Sequence, residues 1–215
     1  MTSSSEPDPK QERYRLGQPL GRGGQGHTYR AEDRETNAAV AVKVIELRGA
    51  ESWKPFDLFE RECQTLKALD HQGIPAYLDT YADEEGGRYY LVIELVEGRS
   101  LRELLADGQL HSEAQLWNIL HQTLEILDYL HDRRPPVIHR DIKPANLIRR
   151  PDNSLALVDF GGVRVALRED GGSTVVGTFG YMAPEQLHGE ATPATDIYGL
   201  GAMLAALATG READK

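Results

Sequence analysis

Cysteine is nearly absent from this chain. Cys63 is the single one in 215 residues, so no internal disulfide can form, and a reduced compartment, the cytoplasm, is expected. Long apolar runs are missing as well. The longest, Leu200–Ala208, falls far short of the roughly 20 residues a membrane-spanning helix needs and reads as a buried helix. Basic charge is in deficit, with 24 Lys and Arg against 34 Asp and Glu and a formal net charge of −10. That balance argues against general affinity for nucleic acid or anionic membrane, both of which reward positive fields, while basic peptides remain compatible. The stretch Met1–Glu12 lacks the apolar core of a signal peptide and, with Ser3-Ser4-Ser5, Pro7 and Pro9, is expected to be a disordered tail. What is present is 40% hydrophobic residues, enough to bury a core in one domain or two small lobes.

The chain is organised around His139-Arg140-Asp141-Ile142-Lys143-Pro144-Ala145-Asn146. Apolar residues flank this polar stretch, Val137 and Ile138 before it and Leu147 and Ile148 after it. A polar loop held between buried segments is where a site is commonly built. Pro144 has no N–H and a fixed φ, which stops the loop from continuing as a helix or joining a sheet. Taken alone, the string also fits a capped turn between a helix and a strand.

Upstream, Gly21-Arg22-Gly23-Gly24-Gln25-Gly26 is followed by β-compatible His27-Thr28-Tyr29-Arg30-Ala31, which predicts a hairpin with a glycine tip rather than a glycine turn opening a helix. Glycines there let backbone amides approach phosphate oxygens, although an ordinary hairpin would read the same. Val40-Ala41-Val42-Lys43-Val44-Ile45 predicts a strand with Ala41 and Lys43 on one face and the valines on the other. Phe56–Leu69 has helical spacing, and Glu62 shares a line with Leu58 and Leu66. A carboxylate aimed at a core needs a cation, and Lys43 is the candidate. Ile74–Tyr81 and Arg88–Val96 read as paired strands, and Ser112–Leu130 as a helix with a Ser112/Gln115 capping box and an apolar face of Leu116, Ile119, Leu120, Leu124 and Leu127. Leu147–Arg150 and Leu155–Val158 form a hairpin pattern that returns Asp159 beside Asn146, two oxygen donors suited to Mg2+. Gly162–Thr178 has no helical period and is expected to be mobile. The helix opening at Asp196 is apolar nearly all round, so it is expected to be buried, with Asp196 capping it or tied to the central loop.

The glycine hairpin, Val-Ala-Val-Lys, inward Glu62, His-Arg-Asp with Lys143 and Asn146, Asp159-Phe160-Gly161 and Ala183-Pro184-Glu185 follow one another in an order that resembles Hanks-type, eukaryotic-like serine/threonine protein kinases, in local style the bacterial ones. The resemblance covers most of Leu16–Gly210. It implies an α+β, two-lobe fold: an antiparallel sheet with one helix over residues 13–96, then a mainly helical partial lobe over 97–215 without the family's last helices. It implies Mg2+-dependent transfer of the ATP γ-phosphate to protein serines and threonines, with Mn2+ as an alternative ion. Asp141 would orient the acceptor hydroxyl and take its proton late, and Lys143 would stabilise the transferring group. Asn146 and Asp159 would hold the metal. Gly21, Gly23, Gly26 and Lys43 would hold phosphates, with Glu62 positioning Lys43. Ala41, Ile93 and Ile148 would line the adenine site, and the connector Glu94–Val96 would hydrogen-bond the base. Thr178 would bridge Asp141 and Lys143. His139, Arg140, Phe160, Glu185 and Asp196 would be structural. A phosphate on Ser173 or Thr174 pairing with Arg140 would order the activation segment, which suggests self-association for autophosphorylation; replacing both hydroxyls by alanine should then depress activity.

Three departures stand out. Thr28 replaces a valine usual in the family, Gly162 follows Asp-Phe-Gly, and the chain ends just after the buried helix, as a fragment of a longer protein would, removing Glu185's usual arginine partner. A nucleotide-binding pseudokinase or scaffold therefore stays open beside the enzyme. A small-molecule phosphotransferase of related fold is disfavoured by the glycine hairpin and Ala-Pro-Glu, and a dinucleotide-binding enzyme by the hairpin itself.

Overall fold

Alternating Val40, Val42 and Val44 place the centre of the first of two structural units. The computed structural model describes residues 12–23, 26–46, 54–83, 87–165 and 177–213. They divide into one unit drawn from Met1–Ala68 with Pro75–Leu95 and a second from Leu69–Ile74 with Val96–Lys215. In the first, β1 (Tyr14–Gly23), β2 (Gly26–Asp33), β3 (Ala38–Glu46), β4 (Tyr77–Asp83) and β5 (Arg88–Glu94) form one antiparallel sheet in the order β1-β2-β3-β5-β4. Val40, Val42 and Val44 pack on one face with Val92 and three tyrosines. Tyr81 stacks between Tyr14 and Tyr90, with ring centroids 5.7 and 4.4 Å away. The other face carries Lys43 and Tyr89 toward α1 (Lys54–Lys67), whose Phe56 sits edge-on to Tyr89. Every residue from Val40 to Ile45 is buried, so the central strand is covered on both sides.

The buried residues of α1 are Phe59, Glu62, Cys63, Thr65 and Leu66, and all but Thr65 fall on one stripe. Glu62 lies on it as expected, but Leu58 is only half-buried. The spacing i, i+3, i+4, i+7 follows the helical period more closely than a row of i+4 steps, which drifts off the face. Cys63 packs in this stripe. Burial pushes its thiol up to about 11, so it is inert at neutral pH.

The second unit contains α2 (Leu101–Ala106), α3 (Glu113–His131) and α4 (Pro193–Thr209). Short strands join them: β6 (Arg99–Ser100), β8 (Leu147–Arg149) and β9 (Leu155–Leu157) in one ribbon, β7 (Val137–Ile138) and β10 (Arg164–Val165) in another. Both α2 and α3 begin with a reciprocal capping box, Ser100 with Glu103 and Ser112 with Gln115. The face α3 buries is Ile119, Thr123, Ile126, Leu127 and Leu130; Leu116, Leu120 and Leu124 are half-buried. Two expectations about α4 change. It starts at Pro193, one turn before Asp196, and it is not buried all round: Thr195, Asp196, Gly199, Leu200, Met203, Ala206 and Leu207 face inward, whereas Ile197, Tyr198, Gly201 and Ala205 are exposed. The reason is that α4 packs one side against α3 and β7, and composition alone does not say which side finds neighbours. Among the described residues, no helix is long and apolar enough to cross a membrane.

Candidate active site

In the first unit, β3 and α1 bring Lys43 and Glu62 together. Lys43 Nζ donates to Glu62 Oε1 at 2.9 Å and to Oε2 at 2.8 Å. Their side chains are only 9% and 3% exposed, so the pair is a buried one that fixes the ammonium against the sheet. Ala41 and Ile93 are cross-strand partners on the same face as Lys43, Ala41 buried and Ile93 half-buried. Glu94 is exposed, and its amide is committed to the carbonyl of Ala76 at 2.8 Å. Val96 follows β5 as a half-buried residue.

The hairpin glycines do different work. Gly23 pairs with Gly26 at the turn, and Gly21 pairs with Thr28. At Gly26, φ is +152°, and an added Cβ would lie 2.1 Å from the carbonyl oxygen of Val44, so the fold itself demands glycine. At Gly21 an added Cβ meets nothing within 4 Å among the described residues. Gly26→Ala is therefore expected to lower stability by about 1–3 kcal/mol. Gly21→Ala should change stability by less than about 0.5 kcal/mol. Its expected effect is on nucleotide binding, which the glycine-hairpin expectation assigns to this position. Chemical denaturation and nucleotide titration of both variants separate the two roles.

In the second unit, the central loop is held by its backbone. Asp196, 1% exposed, accepts from the amides of His139 at 2.9 Å and Arg140 at 2.7 Å. Asp196 thus ties the loop rather than capping α4, whose start has a Thr192/Thr195 box. Gln186 Nε2 donates to the Arg140 carbonyl at 2.8 Å. These contacts hold Arg140 at φ 69°, a left-handed conformation costing a non-glycine residue about 1–3 kcal/mol. The Arg140 guanidinium is buried and donates to the carbonyl of Gly162. Ser173 and Thr174 lie outside the described residues.

Asp141 sits at the end of this strained turn among three polar partners. Lys143 Nζ is 2.6 Å from its Oδ2. Asn146 Nδ2 donates to the same oxygen at 3.0 Å and to the Asp141 carbonyl at 2.8 Å. The Thr178 hydroxyl donates to Asp141 Oδ1 at 2.9 Å and accepts from Lys143 Nζ at 2.7 Å. The ribbon then places Asp159: Leu147 pairs with Leu157, and the Val158 amide donates to the Asn146 carbonyl at 2.9 Å. Asp159 is also left-handed, at φ 64°. Asn153, between them, is left-handed too at φ 67°, but in a turn; strained residues such as Arg140 and Asp159 gather at functional sites, where surrounding contacts over-determine the backbone. Both side-chain hydrogen bonds of Asn146 use Nδ2, so its Oδ1 could serve a cation. With the Asp159 carboxylate this is a hard-oxygen donor pair that fits Mg2+. Ile148, on β8, is half-buried. Phe160 is fully buried edge-on to His139, with centroids 5.0 Å apart.

Several supporting residues had no signal strong enough to single out in the sequence. His131, at the end of α3, places Nε2 2.8 Å from Asp196 Oδ2. Gln186 closes a capping box on the Ala183 amide at 2.9 Å, and that three-residue spacing was a usable clue. Glu185 accepts from the hydroxyl of buried Thr195 at 2.8 Å, so its carboxylate has a partner without an arginine.

Burial holds His139 and His111 below the ordinary histidine value, both therefore neutral at pH 7. The folded state then binds fewer protons than the unfolded one as pH falls. Their contribution is complete above about pH 6.5 and is lost progressively below it. Urea midpoints should fall between about pH 7 and 5, and His111→Phe should flatten part of that slope.

This combination of a five-stranded sheet with a buried Lys–Glu pair and a loop presenting Asp141, Lys143 and Asn146 defines a protein kinase architecture. Residues 14–213 match the protein kinase domain model, and the chain belongs to that family. It is 36% identical over 204 residues to serine/threonine-protein kinase PrkC of Bacillus subtilis, covering 93% of this chain and 31% of that protein. It is 36% identical over 208 residues to PknB of Mycolicibacterium smegmatis, covering 93% and 33%, and 37% identical over 216 residues to serine/threonine-protein kinase B of Synechocystis sp., covering 93% and 37%. The chain thus spans about a third of the length of these relatives.

Proposed function

We propose that this chain transfers the γ-phosphoryl group of ATP to serine or threonine hydroxyls of proteins. The observation that carries the reading is the closed set of contacts among Asp141, Lys143 and Thr178. The relatives' names as serine/threonine-protein kinases support the acceptor class. In the reaction the acceptor oxygen bonds to the γ-phosphorus, the bond to the leaving ADP oxygen breaks, and the acceptor proton passes to Asp141. Because both Asp141 oxygens already accept hydrogen bonds, the carboxylate is fixed in direction and acts mainly by orienting the hydroxyl, with proton uptake late. Lys143 then stabilises charge on the transferring group. Asn146 and Asp159 would hold a magnesium ion, which supplies charge neutralisation at the phosphates. Such an ion would draw its other ligands from phosphate and water, as Mg2+ commonly does. Lys43, fixed by Glu62, would grip the inner phosphates, and the glycine hairpin would close over them with its backbone amides.

The test is phosphate transfer from labelled ATP to a generic basic protein, with and without Mg2+, alongside nucleotide-dependent thermal shifts. Mg2+-dependent label on serine or threonine is expected. A thermal shift with ATP but no transfer would instead make the chain a nucleotide-binding scaffold.

A further inference from the structure

Next to Asp141 the second unit has a small concavity that the chemistry above leaves unused. Its volume is about 50 Å3, and Arg102, Lys143, Thr178, Tyr181, Glu212 and the Pro144–Ala145 turn line it. A water-sized group needs roughly 10–15 Å3 on this measure, so the space takes the head of one side chain and no nucleobase. Lys143 and Thr178 form one wall, and both contact the Asp141 carboxylate. A group bound there therefore belongs to a residue close to the acceptor hydroxyl.

The charge of the opposite wall is uneven. Arg102 Nε donates to Glu212 Oε1 at 2.9 Å, with the arginine side chain 55% exposed and the glutamate only 10%. That bond uses one of the five guanidinium N–H donors. Among the described residues the two terminal amino groups of Arg102 make no hydrogen bond. Glu212 thus acts as a largely buried counter-ion to a guanidinium that is itself more than half exposed. The ammonium of Lys143 is already engaged by Asp141 and Thr178. The uncommitted donors of the concavity are therefore those of Arg102, and their geometry matches a carboxylate. A lysine or arginine entering the same space would approach Arg102 before reaching the recessed Glu212. The Tyr181 hydroxyl accepts from the amide of Ala213 at 3.3 Å, which ties the Glu212 segment to this wall.

We infer that this concavity selects protein substrates carrying an aspartate or glutamate close to the phosphorylated residue, with Arg102 as the specificity-determining side chain. The inference rests on the kinase reading above, so its test needs a readout independent of turnover. Fluorescein-labelled peptides with a central serine, alanine elsewhere, and Glu, Ala or Lys at each flanking position in turn are titrated against the whole chain by anisotropy. The same peptides are then assayed for phosphate transfer. At one flanking position Glu should bind about tenfold more tightly than Ala, and Lys more weakly than Ala. Arg102→Gln should remove the Glu-over-Ala ratio, and Arg102→Lys, which keeps the charge without the fork, should retain part of it. Melting curves of both variants establish that they are folded. Equal binding of Glu and Ala peptides, a preference for Lys, or a Glu preference that survives in folded Arg102→Gln would each overturn the assignment. Selective binding of the Glu peptide without transfer would leave the assignment standing and count against catalysis alone.

Discussion

Lys43→Met is expected to destabilise the chain by about 3–5 kcal/mol, and Glu62→Leu by a similar amount, while the double variant Lys43→Met/Glu62→Leu recovers most of the loss. Each single change leaves one full charge between β3 and α1, where 9% and 3% exposure gives water little access. The double change replaces two charges that had to be dehydrated with apolar groups of similar volume. The interaction energy from this double-mutant cycle, measured by urea unfolding, should be at least about 2 kcal/mol. Additive losses would show that the pair is solvated and that Glu62 does not position Lys43. Phosphate transfer should separate from stability: the double variant regains its fold but not its activity, because Lys43 is the group proposed to contact the phosphates.

Asp141→Asn is expected to lower the transfer rate by about 10^2–10^4-fold with little change in stability. Asparagine has nearly the same shape and can still accept from Thr178 or Asn146, so the loop remains in place. It loses the charge that attracts Lys143 and the oxygen that takes the acceptor proton. Nucleotide affinity should hold within about threefold, since the phosphate-binding role is assigned to other residues. A variant that keeps most of its transfer rate would remove Asp141 from the mechanism. A variant with lost nucleotide affinity would give it a binding role.

What could be read in advance was local. The strand carrying Lys43 follows from alternation, the start of α3 from Ser112 and Gln115, and the return of Asp159 beside Asn146 from a short hairpin. Each depends on residues within a few positions of one another. The face of a helix was read less well. Leu58 replaced Phe59 in the expected stripe of α1, and α4 was expected to be covered on all sides although Ile197 and Tyr198 are exposed. Apolar content reports that a helix can be buried, but the neighbours that bury it come from elsewhere in the chain.

Sequence by itself determined the family and the order of the elements, and it named the candidate side chains for phosphate chemistry, because motif spacing and backbone period act over short range. Only the tertiary structure decided how the central loop is held: Asp196 reaches the amides of His139 and Arg140 from 57 and 56 residues away, and Thr178 reaches Asp141 from 37. It also decided what lines the concavity beside Lys143 and Thr178, since Arg102 and Glu212 meet across 110 residues. Contacts at such separations depend on how the helices and ribbons pack, and that packing minimises the free energy of the whole unit rather than of any stretch within it.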